Sequence, residues 1–384
     1  AKHIIKCLKE AGFEAYMVGG AVRDYLRGVV PHDIDVATSA APEQVKALFE
    51  RSIDTGIEHG TVMILIEGQG IEVTTFRTES GYSDNRRPDK VEFVNSLHED
   101  LKRRDFTINS MAMTEQMAII DPFGGQEDLA ARIIRAVGLP EERFTEDALR
   151  MLRAIRFSGQ LDFQIESKTI EAIKSHAERI QSVAIERIKA ELDKVMVSAA
   201  PDISMRYLVE TRLNQFLPSG GLFDVEWSRY IRSNDPLAGW FYLLSQNGET
   251  FAALREYRFS NQDKKDLQRA LEARGLSEWD AWVYYNFTER QLTLALSDSD
   301  ARHSVREQQE ALPIRSKSEL AANGRDLMEW AEQQAGPWLK EWTLLIEKAV
   351  VERRLANDKE HIKDWFIDEY GGVTCKDIQM HLFG

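Results

Sequence analysis

The sequence predicts an α+β unit with a mixed sheet over roughly the first 130 residues, followed by helices to the end of the chain. Three observations predict it. Short β-branched runs such as TVMILI (Thr61–Ile66) alternate with helical segments and glycine breaks early in the chain. After Asp128, apolar residues recur instead at three- and four-residue spacing. And 384 residues exceed one ordinary domain, so roughly two to four are expected.

In order, EAYMVGG (Glu14–Gly20) reads as a strand ending in two glycines, and AVRDYLRG (Ala21–Gly28) as a helix with a glycine stop. DIDVATS (Asp33–Ser39) is a short strand, and APEQVKALFE (Ala41–Glu50) a helix with proline in its first turn. GTVMILI (Gly60–Ile66) and IEVTTFR (Ile71–Arg77) are strands joined by the turn signal EGQG. MAIIDPFGG (Met117–Gly125) is a last strand with a glycine break. Helices then run through EDALRMLRAIRF (Glu146–Phe157), Ser167–Gln181, Ala184–Ser198, Asn261–Gly275, Gly324–Gly336 and Glu341–Asp358. QFLPSGGLFD (Gln215–Asp224) and the region near Gly275 read as joints. No internal repeat or low-complexity tract appears.

Composition narrows the class. No apolar run approaches the ~20 residues that span a bilayer, so no membrane partner is expected. The first dozen residues are amphipathic and lack a signal-peptide core. Cys7 and Cys375 stand at opposite ends with no metal-ligand spacing, which favours a reducing, cytoplasmic setting over a zinc or disulfide framework. A net charge of −14 argues at first against a nucleic-acid partner. Net charge sets the far field, however, and a local basic groove can coexist with it.

The chemistry begins at Asp33 and Asp35, which flank Ile34. On a strand, alternate side chains share a face, so both carboxylates would point together. They repel unless a cation sits between them, and Mg²⁺, a hard ion that prefers oxygen ligands, is the ordinary solution. Alone, Asp-x-Asp is common and fits a turn or a solvated strand edge better than a metal site. The neighbours change the balance. Gly19 and Gly20 open a helix where backbone N–H groups and the helix dipole favour an anion. Arg23 lies in its first turn, within reach of a phosphate. Glu72, on a neighbouring predicted strand, would complete a metal cluster or remain a plain exposed carboxylate. Together these imply nucleotidyl transfer with two metal ions ~4 Å apart, one activating a 3′-hydroxyl and one holding a triphosphate. No Ser/His/Asp or Cys/His constellation competes, since the 8 histidines are scattered.

Within EDALRMLRAIRF, Asp147 is followed by Arg150, Arg153 and Arg156 at three-residue intervals. At about 100° per residue, Ala148, Leu152 and Ile155 form the packing face. Asp147 and Arg150 lie outside it as i,i+3 neighbours, Arg153 extends the stripe, and Arg156 falls at the apolar edge. A solvated salt bridge is the plain explanation. Base chemistry offers a sharper one. Cytosine and adenine both present an exocyclic amine beside a ring acceptor, matching a carboxylate and a guanidinium. Guanine and uracil present a carbonyl and a ring N–H, which would leave buried polar groups unsatisfied.

GGAVRDYLRGVVPHDIDVATSA, RRDFTINSMAM, IIDPFGGQEDL, EDALRMLRAIRF and ERIKAELDKV resemble the five ordered motifs of the class II tRNA nucleotidyltransferases. These are the bacterial and eukaryotic-type CCA-adding enzymes of the polymerase-β superfamily. The resemblance runs from Gly19 to Val195 and implies a polymerase-β-like nucleotidyltransferase head (1–137). It implies a helical neck that recognises the base (138–195), a helical body (196–280), and a helical tail that binds tRNA (281–384). Gly20 and Arg23 would then touch the nucleotide phosphates, Asp33 and Asp35 would bind Mg²⁺, and Arg104 would contact the nucleotide. Asp105 and Asn109 would hold the site together near the sugar. Asp147, Arg150, Arg153 and Arg156 would form the nucleotide-binding helix, supported by Glu146 and braced from behind by Glu186 and Arg187. The implied activity is sequential addition of C, C and A from CTP and ATP to the tRNA 3′ end. The partner would be the acceptor stem and elbow, and the enzyme a monomer or homodimer. Two relatives remain as alternatives. Poly(A) polymerases typically carry a basic GRRF-like stretch where this chain has DTGIEHGTVMIL (Asp54–Leu65). Enzymes that add only CC lack a flexible loop, whereas RTESGYSDNRRPDKVEFVNS (Arg77–Ser96) resembles a full-length mobile lid.

Overall fold

The computed structural model describes residues 1–31, 33–56, 60–66, 68–80, 90–94, 96–297 and 299–372. Residues 81–89 and 95 of the expected lid, and Cys375, lie outside them. The chain forms two compact units. The first comprises Ala1–Ser228, Asn234–Pro236 and Ala253–Arg258; the second comprises Arg229–Ser233, Leu237–Ala252 and Phe259–Gly384.

The first unit opens with α1 (Lys2–Glu10), β1 (Ala15–Val18), α2 (Gly20–Leu26), β2 (Asp35–Thr38) and α3 (Pro42–Leu48). Then come β3 (Ser52–Gly56), β4 (Thr61–Ile66), β5 (Gln69–Thr75), β6 (Arg77–Ser80) and β7 (Lys90–Phe93). α4 (Leu97–Lys102), β8 (Ala112–Met113), β9 (Ile119–Ile120) and α5 (Gly125–Ala131) complete this part. A seven-stranded sheet has the order β3-β4-β5-β2-β1-β8-β9. Its β2–β5 pair is parallel and the other pairs are antiparallel, so the sheet is mixed as the sequence predicts. One face is closed by α1, whose Ile4, Ile5 and Leu8 pack with Val36, Val62, Ile64 and Val73, all at most 1% exposed. Burying each such side chain favours the fold by roughly 1.5–3 kcal/mol. The other face packs Val18, Ala37 and Ala112 with Phe76 and Leu101.

The unit continues with β10 (Ile133–Ile134), α6 (Pro140–Glu146), α7 (Leu149–Leu161), β11 (Gln164–Ile165), α8 (Ser167–His176), α9 (Ile185–Met196) and α10 (Pro201–Glu210). Two expectations are corrected here. The chain after Asp128 is not purely helical, because β10 and β11 pair in parallel over two residues each. Ladders that short leave no periodicity to read. And the helix expected over Glu146–Phe157 is two helices. Asp147 is extended between them, with φ −140° and ψ 106°. Its Oδ1 accepts the backbone N–H of Leu149 at 3.0 Å. Local bonding of this kind competes with helix and makes aspartate a natural interruption at a helix start.

The second unit is helical: α11 (Leu237–Asn247), α12 (Asn261–Arg274), α13 (Ala281–Asn286), α14 (Glu289–Ala295), α15 (Val305–Glu310), α16 (Gly324–Trp330), α17 (Pro337–Val351) and α18 (Lys359–Gly372). One of its cores gathers Trp342, Ile346, Val350, Ile362 and Phe366. Among the described residues no helix is long and apolar enough to cross a membrane.

The packing of α7 sets a constraint at Gly159. A Cβ built there would stand 2.3 Å from Ser204 Oγ and 2.4 Å from the Ala200 carbonyl oxygen. In an open helix Gly→Ala gains up to about 1 kcal/mol. Here the collision should reverse the sign, and Gly159→Ala should lose roughly 1–3 kcal/mol. Denaturant unfolding checks this, and an unchanged or raised midpoint would overturn it.

Candidate active site

A cleft of about 470 Å³ in the first unit is lined by the Gly19–Gly20 turn, Asp35, Arg104 and the polar side of α7. Gly19 has φ +70°, a left-handed conformation that favours glycine, and a Cβ there would displace the tip of the Arg104 side chain, 2.9 Å away. Gly20 begins α2, and Arg23 follows within it, only 6% exposed. The Arg23 guanidinium is bonded to Asp24 Oδ1 at 2.9 Å and to Asn109 Oδ1 at 2.8 Å.

The acids gather at the sheet end of the cleft. β2 begins at Asp35, and Asp33 lies in a bend just ahead of it. Strand alternation therefore does not aim Asp33, contrary to the expectation of two carboxylates on one strand face. Ile34, between them, is partly buried against the core as expected. Asp35 and Glu72 are direct cross-strand partners in the parallel β2–β5 register. Burial pushes the Asp35 carboxyl up, with Arg104 opposing and Asp33 adding to the rise. Burial also raises Glu72, helped by Asp35 and Asp33. The three acids thus feel one another, yet among the described residues no three such ligands form a closed metal cage. The expected three-carboxylate cluster is corrected to that extent, because the bend removes Asp33 from the ladder. What remains is a set of hard, mutually repelling oxygen donors, with Asp35 half-buried and Asp33 and Glu72 exposed. That donor set fits a divalent cation completed by ligand oxygens.

Behind the cleft runs a chain of bonds. Asp105, 7% exposed, accepts from Arg153 Nε at 2.8 Å and Nη2 at 2.5 Å through Oδ2. Its Oδ1 accepts from the Phe106 backbone N–H at 2.9 Å and from Asn109 Nδ2 at 3.2 Å. Burial opposes ionisation, but Arg153 and Asn109 overcome it and hold the Asp105 carboxyl down to about 2. Since Asn109 also accepts from Arg23, one continuous path joins α2 to α7.

The arginines of α7 are held separately. Arg150 donates to Glu146 Oε2 at 2.5 Å and to the Arg103 carbonyl at 2.8 Å. Glu146 also bonds Arg143, which fixes it in place. Arg156 donates to Glu191 Oε2 at 2.6 Å and to Gln160 at 2.5 Å. It is a buried ion pair, 7% exposed, where the sequence places it only at the edge of the packing face. Asp147 pairs with Arg187 Nη2 at 2.9 Å through Oδ2. The i,i+3 salt bridge considered between Asp147 and Arg150 is replaced by these two separate attachments. Ala148, Leu152 and Ile155 are at most 1% exposed, in keeping with the predicted packing face.

Glu186 does not reach the site. Its side chain is 61% exposed and faces Arg258 at 3.5 Å. On α9 the residues sharing a face are Arg187 and Glu191, four apart, and Glu186 is rotated about 100° away. Sequence reasoning missed Glu191 although it stands within the ERIKAELDKV motif, and that i,i+4 spacing was the available signal. It also missed Asp100, 1% exposed, which accepts from Arg103 Nη2 at 2.8 Å and Arg104 Nη2 at 3.3 Å. Burial works against its charge, but those two arginines hold its carboxyl below the usual range. The i,i+3 and i,i+4 spacing of Asp100 to Arg103 and Arg104 in HEDLKRRD was the available signal. Phe157, whose ring lies under three of the guanidinium groups, carries no mark in the sequence that singles it out.

Comparison with known proteins places these features. A family model described as "Poly A polymerase head domain" matches residues 15–135. A second, "Probable RNA and SrmB- binding site of polymerase A", matches 162–220, and a third, "tRNA nucleotidyltransferase domain 2", matches 237–366. The chain is 42% identical over 379 residues to the CCA-adding enzyme of Anoxybacillus flavithermus, covering 95% of this chain and 96% of that one. It is 41% identical over 384 residues to the CCA-adding enzyme of Bacillus cereus (strain Q1), covering 95% and 97%. Among solved structures, the Bacillus stearothermophilus CCA-adding enzyme in complex with CTP matches with a TM-score of 0.87 at 36% identity, over 97% of each chain. The Thermotoga maritima CCA-adding enzyme complexed with tRNA_CCA shares the fold, with a TM-score of 0.66 at 21% identity over 96% of this chain and 94% of that one.

The Asp105 bonds predict an acid-side dependence. Its folded pKa, about 2, lies below the ordinary value near 3.9, so its contribution is complete above about pH 5 and lost as pH falls toward 2. The size is roughly 2 kcal/mol. Asp105→Asn should therefore be less stable than the parent at pH 7, with the gap closing as pH drops from 5 to 3. Unfolding transitions measured across that range decide it, and a constant gap would show that Asp105 acts as packing alone.

Proposed function

The chain belongs to the CCA-adding enzyme family of tRNA nucleotidyltransferases. On that premise we propose that it adds C, C and A in turn to the tRNA 3′ end, from CTP and ATP, releasing pyrophosphate. One observation carries the reading: a single cleft presents a fixed carboxylate, Asp147, and a fixed guanidinium, Arg150, alongside the Gly19–Gly20 turn and Asp35.

Asp147 accepts a hydrogen bond from the exocyclic amine of cytosine or adenine, and Arg150 donates to the adjacent ring nitrogen. Uracil and guanine would set a carbonyl against Asp147 and a ring N–H against Arg150. Arg187 and Glu146 hold the two readers before any base arrives, so little ordering is left for binding. Arg23, Arg104, Arg153 and Arg156 give that end of the cleft the positive field a triphosphate needs. Asp33 and Asp35 would hold Mg²⁺, which when bound neutralises triphosphate charge and favours ionisation of the attacking 3′-hydroxyl, in the manner of a two-metal site. Glu72, opposite Asp35, adds its charge to the same donor set. Asp105 and Asn109 keep α2 and α7 in register so that phosphate and base are met together. The helical remainder would carry the acceptor stem and elbow. What supports this is the family membership together with the match of a tRNA nucleotidyltransferase domain to residues 237–366.

Two outcomes follow. Asp35→Asn should abolish incorporation while tRNA binding, measured by gel shift, stays near the parent value. Robust incorporation by that variant would remove the metal assignment. Asp147→Ala should lower discrimination against UTP and GTP by roughly tenfold or more, read as kcat/KM ratios on tRNA lacking its 3′ end. A slower enzyme with unchanged ratios would end the base-reading assignment. Parent enzyme given ATP alone on a generic RNA primer should not build a homopolymer, which is what a poly(A) polymerase would do.

A further inference from the structure

Three guanidinium groups converge on one aromatic ring in the cleft. The Phe157 ring centroid lies 3.9 Å from the Arg156 guanidinium carbon, 5.4 Å from that of Arg23 and 5.5 Å from that of Arg153. The ring is 5% exposed and lines the cleft. Its position is set by an edge-on contact with Phe106, with centroids 5.8 Å apart and planes at 82°. Phe106 is fully buried, so the ring rests on rigid core.

Each of these arginines also has an acidic partner: Asp24 for Arg23, Asp105 for Arg153, and Glu191 for Arg156. Asp105 is joined through Asn109 to Arg23 as well as directly to Arg153, and Glu191 attracts Arg153 as well as Arg156. The Phe157 ring adds a group that all three cations approach, because its faces carry the negative part of the aromatic quadrupole. It is a neutral group that attracts all three cations without competing for the anionic ligand they would bind.

We propose that Phe157 is a positioning residue for nucleotide binding: its ring gathers the guanidinium groups of Arg23, Arg153 and Arg156 into one anion-binding face before the triphosphate enters. The inference rests on the assignment of the cleft to CTP and ATP. An ordinary apolar side chain of similar bulk would fill the same space and leave the three cations to their separate acidic partners, without a shared attraction. The work of gathering them would then fall on the nucleotide, weakening its binding with little effect on the step that follows.

The test separates the ring's electronic character from its shape. Phenylalanine at 157 is replaced, by site-specific incorporation, with mono-, tri- and pentafluorinated phenylalanine, which progressively weaken the ring's negative face at nearly constant size. Steady-state addition of CMP to tRNA lacking its 3′ end is followed for each protein, with unfolding temperature measured in parallel. KM for CTP should climb stepwise with fluorination to about tenfold, with kcat within about twofold and the unfolding temperature nearly constant. Phe157→Leu should match or exceed the pentafluoro effect on KM, and Phe157→Trp, which keeps a strong π face, should recover part of it. A flat KM across the fluorinated series overturns the proposal. So does a KM that rises only where thermal stability falls, since that marks a packing role. The parent enzyme in the same assay keeps the two readings apart: CMP addition by the parent with a flat fluorine series rejects the role of Phe157 alone, whereas no addition by the parent rejects the assignment of the cleft.

Discussion

The pair between buried Asp105 and half-buried Arg153 is the interaction on which the site depends. It is the point where the sheet-bearing part of the first unit grips α7, the helix that carries Arg150, Arg153 and Arg156. A buried ion pair is poor evidence for stability, because desolvation offsets most of the attraction. Its value here is geometric. Asp105 spends one oxygen on Arg153 and the other on Phe106 and Asn109, so the carboxylate has a single orientation. Asn109 passes that orientation on to Arg23. The two arginines lie at opposite ends of a chain whose every link is a directed hydrogen bond. Loosening any link lets α2 and α7 drift relative to each other.

The same logic explains how an acidic chain supports a basic cleft. Its acids are in part the holders of its arginines: Asp24, Asp100, Asp105, Glu146, Asp147 and Glu191 each clasp at least one guanidinium that lines the cleft. Such pairing lowers the net charge without removing the local field, because each guanidinium still has N–H groups beyond those bonded to its partner. The overall charge of −14 and a site for a polyanion are therefore compatible. Screening makes the distinction sharper, since at ordinary ionic strength charges more than about 8–10 Å away contribute little.

How much of this was legible depended on whether a feature is local. The mixed sheet was readable because β-branched runs and glycine breaks mark strands one at a time, and α7's packing face because Ala148, Leu152 and Ile155 repeat with the helix. The break at Asp147 was not, since a preference for caps does not say which of several acids will interrupt a helix. Partner choice was least legible. Glu186 and Glu191 look equivalent in ERIKAELDKV until the rotation of α9 is known, and only then does one face Arg156 and the other solvent. Phe157 acquires its role from residues distant in sequence, Arg23 and Phe106 among them, which no local pattern reports.

The break at Asp147 also bears on the proposed reading of the base by Asp147 and Arg150. Rejecting uracil or guanine by polarity works only if the readers cannot turn aside. An unsatisfied buried polar group costs about 1–3 kcal/mol, but a side chain free to swing toward water avoids that cost. Were Asp147 on the helix beside Arg150, the two could pair with each other and leave the base unread. Extended between α6 and α7, Asp147 is instead tied to Arg187 on α9, while Arg150 is tied to Glu146 on α6. Each reader must break its own bond to escape a mismatched base, so the penalty of a wrong pairing is felt in full. Under the proposed assignment, selectivity would reside as much in Arg187 and Glu146, which never need to touch the base, as in the pair that would.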